Sequence, residues 1–246
     1  MTQSDDVPAR GAAVLAGART QRPARLIGLV LAAFALVEGL LLGLGLLVTR
    51  VLDNSFLSEQ ELAFERTLLA HRTPLWNDVT HVGTVLGATG TIVALTAVGC
   101  LLLGWRGHGP RLPAFLALAV AGETGLFLLA SAAVDRLRPT IPHLDEAPPT
   151  SSFPSGHTAA AIALGCGLAL GLARTHPRHG FRALIWFLAL ALPLFVLLSR
   201  LYRGMHWPSD VAASVLFTVV WLLLLRAILL PPDVDARRDR SARVRR

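Results

Sequence analysis

Residues 26–49 form an unbroken apolar run of 24 residues whose one ionisable side chain is Glu38. That length matches a bilayer core, which about 20 helical residues cross. A soluble surface helix is apolar on one stripe only, so a run apolar on every face places this chain in a membrane. The run is longer than a signal-peptide core and lacks a small-residue cleavage site, so it reads as a retained span. Further runs follow at 79–103, 112–134, 155–173, 183–198 and 209–230. With 53% of its 246 residues apolar, the chain is expected to fold as an all-α bundle of about six transmembrane helices.

Between the first two runs the hydrophobicity breaks, over residues 53–76. Phe56, Leu57, Leu62, Phe64, Leu68 and Leu69 recur there at roughly helical spacing, and Ser58 with Glu61 has the spacing of a capping box. An amphipathic helix lying on the membrane surface fits this segment. Residues 1–25 read as a disordered cytoplasmic tail, 26–230 as the membrane-embedded domain and 231–246 as a basic cytoplasmic tail near anionic headgroups.

All 23 basic residues are arginine. With the N-terminus inside, 16 of them fall on the cytoplasmic side and 7 on the other, which satisfies the positive-inside rule. Both termini of a multi-pass cell-membrane protein then face the cytoplasm. The net charge of +7 sits in tails and connections and not on a basic helix interleaved with aromatics, so no nucleic-acid surface is expected. Cys100 and Cys166 lie inside apolar runs and read as small core residues, not a disulfide.

Four arginines on the outer side, Arg136, Arg138, Arg200 and Arg203, crowd two connections. They belong to segments at span ends sharing that face: 135–139 (DRLRP), 153–158 (FPSGHT) and 199–210 (SRLYRGMHWPSD). Arg138 and Arg200 offer planar forks of donors that suit phosphate oxygens. Pro154, Ser155 and Gly156 open a helix, where unpaired N–H groups and the positive dipole end favour an anion. Asp210 follows His206 by four residues, a spacing at which a carboxylate can hold one ring nitrogen and leave the other free to attack. His157 is a second imidazole, available to protonate a leaving oxygen. The set has the parts of a phosphoryl-transfer site without an obvious metal.

These segments resemble the three signature motifs of the type 2 phosphatidic-acid phosphatases, the lipid phosphate phosphatases, whose superfamily also includes the soluble vanadium haloperoxidases. The family pattern reads Lys-x6-Arg-Pro, Pro-Ser-Gly-His and Ser-Arg-x5-His-x3-Asp. The second matches at Pro154, Ser155, Gly156 and His157, and the third at Ser199, Arg200, His206 and Asp210. The first matches at Arg138 and Pro139 alone, with Ser131 where the family has its lysine. Over residues 83–230 the resemblance implies the membrane branch of that superfamily. It implies a phosphohistidine on His206 oriented by Asp210, His157 as general acid and then base, and Arg138, Ser155, Gly156 and Arg200 binding phosphate. Neither metal nor cofactor is implied. The partner is a lipid phosphate in the membrane: a polyprenyl diphosphate, phosphatidic acid or phosphatidylglycerol phosphate.

Two rival classes share the anion cradle, a vanadate-dependent oxidase and a non-catalytic lipid-phosphate binder or transporter. The long spans and the absent lysine weigh against the first, the intact His157, His206 and Asp210 against the second. The other histidines read as interface residues, Trp76, Trp105 and Trp207 as interfacial anchors. Tyr202 reads as a headgroup-level residue. Glu38 and Glu123 are costly in spans and are not assigned to catalysis.

Overall fold

The computed structural model describes residues 8–52, 56–106, 109–175 and 178–230, with 8–22 and 174–175 as backbone only. The expected basic tail at 231–246 lies outside them. Every regular element among the described residues is helical: α1 (Pro8–Leu46), ending in a π turn at Leu47–Val51, then α2 (Phe56–Ala70), α3 (Pro74–Gly87) and α4 (Thr89–Trp105). After these come α5 (Arg111–Ala133), α6 (Gly156–Thr175), α7 (His179–Tyr202) and α8 (Pro208–Leu229). Backbone groups in hydrocarbon must bond within their own segment, which is why apolar runs of this length become helices.

Among the described residues five helices are long and apolar enough to cross a membrane, and α3 with α4, bent by 54° at their junction, is a sixth such stretch if the pair is counted as one. The bend falls at Gly87–Ala88, beside His157: a Cβ on Gly87 would lie 3.1 Å from the His157 Cβ. The chain is a multi-pass membrane protein. Helix α1 begins at Pro8, inside the stretch that the sequence reads as a disordered tail, and its apolar part starts at Pro23.

Helix α6 packs on α3, α4, α5, α7 and α8 and is the most buried span, while α1 packs on α5 and α8. Its Ala- and Gly-rich sequence suits that position, because small residues let helices approach where no hydrophobic force separates protein from lipid. Phe115, Phe217 and Trp221 fill the core, with Trp221 Nε1 donating to the Ala119 carbonyl at 3.0 Å. Leu31, Leu101, Phe187 and Leu223 are exposed, as lipid-facing side chains should be. Cys100 and Cys166 are free thiols.

Helix α2 is amphipathic as expected, with an inverted interior. Phe56 and Phe64 are exposed, whereas the buried residues are Glu61 and Glu65. The aromatic side chains thus point outward and the carboxylates inward. Glu61 accepts from the Ser209 N–H at 2.6 Å.

Gly83 brings α3 against α7. A Cβ there would lie 2.1 Å from Ser199 Oγ, which donates to the Phe195 carbonyl at 2.7 Å. Gly83→Ala should therefore destabilise the fold by about 1–3 kcal/mol through overpacking. Thermal unfolding in detergent should show the lowered Tm.

Candidate active site

The C-terminal ends of α5 and α7 and the N-terminal ends of α6 and α8 meet at one end of the bundle, where the 22-residue connection 134–155 folds over them. A connection that long needs internal anchors. The Ser152 N–H donates to the Arg136 carbonyl at 2.8 Å, and the Leu144 N–H to the Arg203 carbonyl at 3.1 Å. The tight turn after α7 is made possible by Gly204, whose φ of +72° favours glycine.

Beneath this connection lies a cavity of about 450 Å³, lined by Arg138, Gly156, His157, Arg200 and His206. Residues from all three sequence segments thus share one space. Part of its wall is apolar, with Ile92, Val93, Val120 and Phe127. Glu123 also lines it, with one carboxyl oxygen lacking a hydrogen-bond partner.

Arg200 is nearly inaccessible to solvent. Its Nη1 donates to Asp145 Oδ2 at 2.7 Å and to Thr84 Oγ1 at 2.9 Å. Arg138 Nη1 donates to the Met205 carbonyl at 2.6 Å. The Nε of each guanidinium is buried without a hydrogen-bond partner. A buried donor left unmade costs about 1–3 kcal/mol, more when charged. Together with the α6 N-terminus, these two groups suit an anion.

His206 is buried, and its Nδ1 lies 2.7 Å from the Ser152 carbonyl. A carbonyl only accepts, so Nδ1 carries the proton. Burial first, then the positive charges of Arg200 and Arg138, push the imidazole well below its ordinary value. The ring is therefore neutral near pH 7 and its Nε2 keeps a free lone pair.

Asp210 does not hold the ring directly, since Oδ2 is 3.9 Å from His206 Nδ1. Ser152 stands between them, its Oγ donating to Asp210 Oδ2 at 2.5 Å. The Trp207 N–H donates to the same oxygen at 2.9 Å, and Arg136 Nη1 donates to Oδ1. Ser155 is also turned away from the cavity: its N–H donates to Ser214 Oγ at 2.8 Å and its Oγ pairs with Thr158 Oγ1 at 3.0 Å. Ser131 donates to the Leu128 carbonyl of its own helix at 3.1 Å. Arg136 is occupied by Asp210, Ser209 and Glu61, not by the cavity.

A profile of the PAP2 superfamily matches residues 90–231. The chain belongs to the PAP2 superfamily. Its fold is similar to that of the first transmembrane PAP2-type phosphatidylglycerolphosphate phosphatase from Bacillus subtilis, seen in a crystal structure. The two share 20% identity and a TM-score of 0.68 over 80% of this chain and 94% of the other. No curated protein matches the sequence significantly.

Several residues in and around this cavity have no spacing signal in the sequence. Asp145 joins the Arg200 and Arg203 guanidiniums, with Arg203 Nη2 at 2.7 Å and Nε at 2.9 Å. Ser152 orders His206, and Ser214 caps the Ser155 N–H. Glu61 did carry a signal: it shares one face of α2 with Glu65, four residues on. Tyr202 is a tether and does not line the cavity, its hydroxyl accepting from the Thr73 N–H at 2.9 Å.

Burial would raise the Asp145 carboxyl, but the hydrogen bond from Arg203 and the charges of Arg200 and Arg203 outweigh it and hold it at about 2. An acid depressed by folding adds stability above its unfolded value near 4, and that stability is lost as pH falls toward 2. Asp145→Asn should lower Tm at pH 7 by stranding two guanidiniums, and should flatten the loss of Tm between pH 4 and 2. Melting curves across that range in detergent read both effects.

Proposed function

We propose that this protein hydrolyses a phosphomonoester or diphosphate of a membrane lipid through a phosphohistidine on His206, without a metal. The observation that carries the reading is that the guanidinium groups of Arg138 and Arg200 and the neutral imidazole of His206 line one cavity whose wall is partly apolar. A phosphate fits the donors, and a hydrocarbon tail fits the wall.

In the first step the Nε2 lone pair of His206 attacks phosphorus, and the bond from phosphorus to the leaving oxygen breaks as His157 gives that oxygen a proton. In the second, water attacks the phosphohistidine, His157 takes a water proton, the phosphorus–nitrogen bond breaks and inorganic phosphate leaves. Arg138 and Arg200 hold the phosphoryl oxygens in both steps, with the N–H groups at Gly156 and His157. Positive charge from two guanidiniums does the work for which other phosphatases use a cation. Asp210 acts on His206 through Ser152, and Ser155 shapes the α6 N-terminus. The arginine asymmetry supports cytoplasmic termini and a site on the outer face.

Purified protein in detergent with chelator should release phosphate from at least one of undecaprenyl diphosphate, phosphatidic acid and phosphatidylglycerol phosphate. His206→Ala should fall to background, and His157→Ala by about 10²–10⁴-fold, the usual worth of a general acid–base group. Absence of release from all three lipids would sink the reading.

A further inference from the structure

The surface helix α2 inserts a carboxylate behind the catalytic apparatus. Glu61 is 4% exposed although Phe56 and Phe64 of the same helix are exposed. One of its oxygens accepts from the Ser209 N–H at 2.6 Å, an otherwise orphaned donor in the first turn of α8. The other accepts from Arg136 Nη2 at 3.0 Å. Arg136 uses its second nitrogen on Ser209 Oγ at 2.8 Å and on Asp210 Oδ1. Its guanidinium also lies over the Trp207 ring, 5.5 Å from the centroid.

A single guanidinium thus bridges two buried carboxylates from different helices. Beyond Asp210 the same chain of contacts continues through Ser152 Oγ, and the Ser152 carbonyl accepts from His206 Nδ1. Each hydrogen bond in this chain is made by groups with little access to water, where such bonds are strong and alternative partners few.

We propose that Glu61 is a positioning residue for the reaction, fixing the orientation of His206 through Arg136, Asp210 and Ser152. The membrane-surface helix is by this reading part of the catalytic scaffold, not only a lipid anchor. The inference rests on the assignment of His206 as the nucleophile.

The test compares wild type with Glu61→Gln, Arg136→Gln, the double variant and Glu65→Gln. Glu61→Gln keeps an oxygen for the Ser209 N–H and removes the charge facing Arg136, so α2 stays docked. Glu65 serves as the control: it is equally buried, its oxygens have no hydrogen-bond partner, and it takes part in none of the Arg136 bonds. Burial pushes the Glu65 carboxyl up to about 8, so glutamine there mimics the neutral form present at pH 7.

Glu61→Gln and Arg136→Gln should each lower kcat roughly 10- to 100-fold, the scale of a slightly misplaced reacting group, with KM little changed. The double variant should lose no more than Arg136→Gln, because coupled residues do not add. Glu65→Gln should keep the wild-type kcat. Hydrogen exchange of the peptide over residues 205–211 gives a readout free of turnover. The Trp207 amide, which donates to Asp210, should exchange faster in both single variants and not in the control. An unchanged kcat in Glu61→Gln, or additive losses in the double variant, overturns the proposal. If wild type itself shows no turnover, the phosphatase reading falls. Exchange at 205–211 unchanged in Glu61→Gln then removes the positioning chain as well.

Discussion

The carboxylate of Asp210 is fully buried in the first turn of α8. A charge cut off from water is tolerated only where donors surround it. Its donors come from two places. Arg136 and Ser152 reach it from the 134–155 connection, and the Trp207 N–H from the residue just before α8. Satisfying this one group therefore pins an irregular 22-residue connection against the helix end. Because Ser152 serves both Asp210 and His206, the same bonds order the imidazole that faces the cavity.

Asp145 performs the matching task on the other side. It takes Arg203 through two nitrogens and Arg200 through one. The four arginines thus divide: Arg136 goes to Asp210 and Glu61, Arg203 to Asp145, while Arg138 and Arg200 line the cavity, each with a buried Nε that has no partner. Neutralising every guanidinium would leave nothing for an anion, and leaving all of them free would not hold the connection in place. The division serves both needs.

The apolar spans, the surface helix and the three segments were legible because each rests on local signals: run length, helical spacing and closely spaced motif residues. His157, His206, Arg138, Gly156 and Arg200 lie around one cavity as those segments suggest. Less of the detail could be read. The four-residue spacing of His206 and Asp210 suggests a direct contact, yet Ser152 stands between them, because proline and the helix start set Asp210 toward the Trp207 N–H instead. Ser155 sits in a matched motif but spends its N–H on Ser214 and pairs its hydroxyl with Thr158. Asp145 lies in a stretch with no periodicity, and only the closed fold shows which arginines it meets.

The amino-acid sequence by itself determined that this chain is a membrane helical bundle with a basic, histidine-bearing end. Apolar length and residue chemistry act over a few neighbours, so a linear reading captures them. The tertiary structure decided which carboxylate holds which arginine, which donors remain free and which face of α2 turns inward. Those choices depend on pairings between groups up to 148 residues apart, such as Glu61 with the Ser209 N–H. They follow from the cost of leaving any one of these groups buried and unpaired, which is settled only when the helices have closed around them.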